Sequence, residues 1–187
     1  MNALVFAVFA WIALGLERGL KPTLQIGPGQ IAPSFVAILA VYVAASATPR
    51  AAQWACLALG LLVDLTSPMP RGDAGTLTVV GPNALGAFLA AHLTLSMRGL
   101  MFRQNPLSLG FLTVLGMGIW QAVVTGVFTL RHVFGDPVEW HATSQVLGRM
   151  GASVYTALLA LPLALALMPA GSLLGFPSHA HRFGRRA

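Results

Sequence analysis

The chain has 187 residues, 56% of them hydrophobic and only 9% charged, with a mean hydropathy of +0.76 and a formal net charge of +6. Soluble globular domains carry roughly a quarter charged residues, so this composition excludes a surface that faces water on all sides. The positive balance does not point to nucleic acid: no basic cluster is interleaved with aromatics, and basic residues at the margins of apolar blocks act as topology signals.

A helix needs about 20 mostly apolar residues to cross roughly 30 Å of hydrocarbon. The apolar blocks leave room for about six such crossings and no separate soluble domain. The expected fold is therefore all-α, a bundle of about six transmembrane helices formed by residues 1–176, with a basic cytoplasmic tail over 177–187. The start of the chain lacks the basic n-region and small-residue cleavage site of a removable signal peptide, so it reads as a retained first helix.

The first span covers about residues 2–16, ending at Glu17 and Arg18 or running on to Leu20. A Gly/Pro-rich connection follows, in which Pro22, Gly27, Pro28 and Gly29 oppose regular structure. The second span is about 31–47, with Pro33 in its first turn, where a missing N–H costs least. Pro49-Arg50 reads as a tight turn, making spans two and three an antiparallel hairpin. The third span, about 51–65, places Asp64 in its last turn, and an irregular stretch with Pro68, Pro70, Gly72 and Gly75 comes next.

The fourth span, about 77–95, is expected to be interrupted at Gly81-Pro82-Asn83, a break that a membrane helix carries only where other groups re-satisfy the freed backbone. The fifth, about 107–130, is entered through Asn105-Pro106. A polar loop leads to the sixth, about 148–167, which contains Pro162. With the N-terminus inside, the inner segments hold Arg50, Arg98, Arg103, Arg182, Arg185 and Arg186 with no acidic residue. The outer segments hold Arg18, Lys21, Arg71, Arg131 and Arg149 together with Glu17, Asp73, Asp136 and Glu139. The basic inner turns and tail set both termini in the cytoplasm.

Few polar residues fall inside the apolar blocks, and each needs a partner. Asp64 reads as an ion-pair or hydrogen-bond anchor, to Arg71 or to backbone N–H groups of the segment that follows; the plainer alternative is an interfacial end-marker. A proton relay finds no second ionisable group deep in the other spans. Asn83 is placed to cap a helix restarting after Gly81-Pro82, or to face a cavity or partner. Gln121, in mid-span, needs an interhelical hydrogen bond or water. Small residues four apart (Ala40 and Ala44, Gly86 and Ala90, Ala87 and Ala91, Gly148 and Ala152) suit close helix packing. Cys56 reads as a small buried apolar residue. His132, His141, His179 and His181 match no metal-ligand spacing, and no catalytic or cofactor-binding motif stands out, so no cofactor and no enzymatic activity are expected.

The segment "GLLVDLTSP" (60–68), taken with "APSFVAILAVYVA" (32–44) before it and "GPNALGAFLAAHL" (81–93) after it, resembles the rod shape-determining protein MreD family. The family's Gly and Asp map onto Gly60 and Asp64. Two prolines and Arg71 in the stretch after Asp64 depart from its pattern. The resemblance implies a non-enzymatic component of the bacterial inner membrane in the cell-elongation machinery. Such a protein binds the bitopic protein MreC and works with MreB, RodA and RodA's transpeptidase partner. MreD is also similar in plan to the substrate-binding S subunits of energy-coupling-factor vitamin transporters, which supplies the alternative expectation, with Asn83 and Gln121 as pocket polars.

Overall fold

The structure is a computed structural model and describes residues 1–26, 31–70, 76–99, 106–134 and 142–176. The expectations for Arg71, Asp73, Arg103, Asp136, Glu139, His141 and the basic tail fall outside these residues. Six helices account for most of what is described: α1 (Ala3–Leu20), α2 (Phe35–Ser46), α3 (Pro49–Thr66), α4 (Pro82–Met97), α5 (Pro106–Val133) and α6 (Ala142–Ala170). Two two-residue strands, β1 (Met69–Pro70) and β2 (Thr76–Leu77), pair antiparallel between α3 and α4, with Met69 opposite Leu77. A single bridge joins Ile26 to Ile31 between α1 and α2. Three segments are long and apolar enough to cross a bilayer: Ala3–Leu20, Pro106–Val133 and Gly148–Ala170.

Helix α2 is the axis of the bundle. Every residue from Phe35 to Ala45 is buried, as expected of a helix that is apolar all round, and it packs against each of the other five helices. Around it run α1 and then α3 to α6, in which sequence neighbours lie side by side. Small residues set the spacing. Gly86, Ala87, Ala90 and Ala91 form the buried side of α4, and Gly86 lies against Trp120 of α5 so closely that an added Cβ would come within 2.7 Å of its ring. Ala40 and Ala44 are buried on α2, and the Cys56 thiol donates to the Ala40 carbonyl at 3.3 Å.

Several expected boundaries move. Helix α2 starts at Phe35 rather than near 31, because Ser34 is its N-cap: the Ser34 hydroxyl accepts from the Ala37 N–H, and Pro33 lies before the helix rather than in its first turn. Pro49 opens α3 at its first position, where the ring's fixed φ and missing N–H both suit the helix. The fourth span is not broken: α4 simply begins at Pro82, and residues 76–77 belong to β2. Helix α6 begins at Ala142, so Arg149 lies within it instead of at its margin.

One end of the bundle is tied together by caps. The Arg98 guanidinium at the end of α4 donates to the carbonyl of Ala47, the C-cap of α2, at 2.7 Å. The Tyr42 hydroxyl donates to the Leu167 carbonyl of α6, and the Asn2 amide donates to the Leu174 carbonyl. Measured from this lower end, Ala3 to Glu17, Pro49 to Asp64, Pro106 to Trp120 and Ala170 back to Thr156 are each 14 or 15 residues. At 1.5 Å per residue this is about 21–23 Å. Those four residues all make contacts at the N-terminal ends of α2 and α4, so both descending helices start at one common level. Above it, α5 and α6 continue for 13 and 14 residues, roughly 20 Å.

The tightness at Gly86 can be tested against an open position. Gly86→Val should lower the Tm in detergent, since overpacking typically costs about 1–3 kcal/mol. Gly118→Ala, on an α5 face with nothing within 4 Å, should leave the Tm unchanged or raise it, because a helical glycine is roughly 0.5–1 kcal/mol worse than alanine.

Candidate functional site

The buried face of α3 runs Ala52, Ala55, Cys56, Leu59, Gly60 and Asp64. The three- and four-residue spacing puts all six on one side of the helix, so Gly60 and Asp64 face the same neighbour, one turn apart. That neighbour is the start of α4. A Cβ on Gly60 would overlap the Asn83 carbonyl oxygen and approach Ala84 Cα to 2.6 Å. Without a side chain at residue 60, the two helices touch backbone to backbone.

This approach delivers the Asp64 carboxylate to the N-terminus of α4. Oδ2 accepts from the Gly81 N–H at 2.8 Å and the Ala84 N–H at 3.1 Å. Oδ1 accepts from the Asn83 N–H at 3.0 Å and from Asn83 Nδ2 at 2.9 Å. The first turn of a helix leaves N–H groups without intrahelical partners. Here Pro82 has none to satisfy, Leu85 donates to the Gly81 carbonyl, and Asp64 takes the rest. Gly81, the N-cap, sits at φ +125°, a backbone conformation that glycine adopts without strain. A carboxylate at a helix N-terminus also meets the positive end of the helix dipole. Asp64 is 2% exposed, so these bonds replace its hydration almost entirely.

The sequence reading of Asp64 as a hydrogen-bond anchor to following backbone N–H groups agrees with this geometry; its other suggested partner, Arg71, is not among the described residues. Asn83 does not cap α4. It is the second residue of the helix, and the cap comes from Asp64 on the preceding helix. The Asn83 side chain is a connector: Nδ2 donates to Asp64, and Oδ1 accepts from Trp120 Nε1 at 3.0 Å. Gln121, next to Trp120, accepts a hydrogen bond from Arg149 of α6 through its Oε1. Its amide nitrogen lies 3.9 Å from Met117 Sδ. The interhelical bond expected of Gln121 is therefore made.

Asp64, Asn83 and Trp120 thus form a polar seam from α3 through α4 to α5, and a separate bond joins Gln121, the next residue of α5, to Arg149 of α6. Each Asp64 oxygen already receives two bonds, and Asn83 has both ends of its amide engaged, so these residues join α3, α4 and α5 mechanically. Among the described residues no cluster of three or more His, Cys, Asp or Glu side chains could hold a metal ion. Trp120 and Arg149 were not legible as the partners of Asn83 and Gln121. Neither has a sequence signal, since each depends on where a partner helix lies. Gly60 and Asp64 did have one: a glycine and an acid four apart in an apolar run share a face.

No protein-family model matches the chain, and neither does a curated protein or a solved structure.

Removing the carboxylate should cost more than neutralising it. Asp64→Leu strands four donors, and each unsatisfied buried donor costs about 1–3 kcal/mol; Asp64→Asn keeps an acceptor oxygen. Asp64→Leu should therefore lower membrane abundance and Tm more than Asp64→Asn. Wild-type behaviour of both would reduce Asp64 to an interfacial end-marker. Trp120→Phe strands only the Asn83 Oδ1 acceptor and should fall between wild type and Asp64→Leu in the same melting assay.

Proposed function

We propose that this chain is a non-enzymatic scaffold of a bacterial cytoplasmic membrane, similar to the MreD family, which binds an MreC-like bitopic protein and couples it to wall synthases. In this reading all six helices form one membrane domain and both termini face the cytoplasm. The supporting observation is the joint itself. Two of the three segments that carry the resemblance, 60–68 and 81–93, meet there, with Gly60 allowing the contact and Asp64 closing it. The third, 32–44, supplies the central helix. A motif that builds a rigid helix junction suits a protein that works by presenting a fixed surface to partners.

The same bonds weigh against the alternative of a vitamin-binding S subunit. A ligand pocket needs a few polar groups left to converge on the ligand. The two side chains considered for that purpose, Asn83 and Gln121, are instead engaged with Asp64, Trp120 and Arg149.

Depletion of the protein in its source organism should produce loss of rod shape, and an affinity-tagged copy should co-purify an MreC-like bitopic protein from native membranes. Normal shape together with absence of that partner would overturn the scaffold reading. A vitamin eluting with the purified protein would favour the S-subunit alternative.

A further inference from the structure

Asp64 is not the only carboxylate in this chain that caps another helix. Glu17, three residues before the end of α1, reaches the N-terminus of α2. Its Oε2 accepts from the Ser34 hydroxyl at 3.1 Å, the Phe35 N–H at 2.8 Å and the Val36 N–H at 3.3 Å. The two sites correspond in detail. The acceptor lies 17 residues before the N-cap in each, Glu17 before Ser34 and Asp64 before Gly81. One offset of 47 residues carries Glu17 onto Asp64 and Ser34 onto Gly81. Each acid sits 14 or 15 residues into its helix, and each connection contains a short antiparallel pairing, Ile26 with Ile31 in one and β1 with β2 in the other. The sequences of the two halves hide this, because the acid is Glu in one and Asp in the other, and the N-cap is Ser in one and Gly in the other.

We propose that the first four helices are two copies of one unit, an ascending helix whose carboxylate latches the start of the next, descending helix, and that each latch controls the docking of its own downstream helix. The bonds support this partition. Those that Glu17 makes to a following helix end at residues 34–36, and those of Asp64 end at 81–84; among the described residues neither carboxylate bonds to the other unit.

The two latches differ in closure. Asp64 is 2% exposed and has two bonds on each oxygen. The Glu17 side chain is 14% exposed, and its other oxygen bonds to Lys21, itself half exposed, at 3.2 Å. A cap reached by solvent has competing partners, and local opening concentrates where hydrogen bonds are exposed. The α2 latch is therefore the one that opens first, while the α4 latch stays shut.

Amide hydrogen exchange on the full-length protein in nanodiscs tests both parts. In wild type, the Phe35 and Val36 amides should exchange faster than those of Gly81, Asn83 and Ala84. Equal or reversed protection would overturn the order of opening. Glu17→Gln should speed exchange at residues 35–36 by about tenfold, the scale of one weakened cap, and leave residues 81–84 unchanged. Asp64→Asn should do the converse. Both variants keep an acceptor oxygen and the side-chain length, which preserves the fold for measurement. Acceleration of both sets by either variant, or of neither set by both, would overturn the assignment of independent latches. Loss of the folded protein in either variant would count the same way, since it would make the two units one cooperative whole.

Discussion

The architecture depends on how a helix can begin inside a packed, apolar bundle. The first N–H groups of α2 and α4 have no partners within their own helices. An unmade hydrogen bond of this kind costs several kcal/mol in hydrocarbon. Carboxylates on the preceding helices fill that need, and their negative charge opposes the positive end of the helix dipole. The rest of the structure is arranged to bring those acids into reach.

Glycine is the counterpart of the acid. The Asp64 side chain is short, so it can bond to the backbone of α4 only if α3 lies almost in contact with it, and Gly60 makes that possible. The same logic repeats one layer on. Gly86 lets α4 close on Trp120, whose indole then reaches Asn83. Close approach and polar satisfaction are therefore coupled: a side chain added at either glycine would separate helices and lengthen the bonds that hold the joint. Packing in a bilayer gains little from hydrophobic transfer between helices, since lipid is equally apolar, so such close contacts and interhelical bonds carry more of the specificity.

The level at which α2 and α4 begin divides the molecule into two parts. Below it the other five helices pack around α2; above it, α5 and α6 rise on as a pair. Arg149 and Gln121 join that pair just above the division, while Thr156 of α6 accepts a hydrogen bond from the Ser34 amide at it. Helix α6 is thus tied to the start of α2 through Thr156 and to α5 through Arg149 and Gln121.

By itself the sequence determined the helical character, the number and order of helices, and which residues in apolar surroundings needed partners. Those follow from hydropathy, from the cost of a polar group in an apolar run, and from the punctuation of Pro and Gly, all of which are local. Tertiary structure decided the boundaries at the joints and the identity of the partners. Nothing near Asn83 in the chain says that its cap comes from 19 residues earlier or that its amide meets an indole 37 residues later. Glu17 looked like the polar end of the first span, and only the position of α2 makes it a cap. Caps that a helix supplies to itself can be read from adjacent residues; caps delivered from another helix depend on which two helices touch, and that is fixed by the packing of the whole bundle.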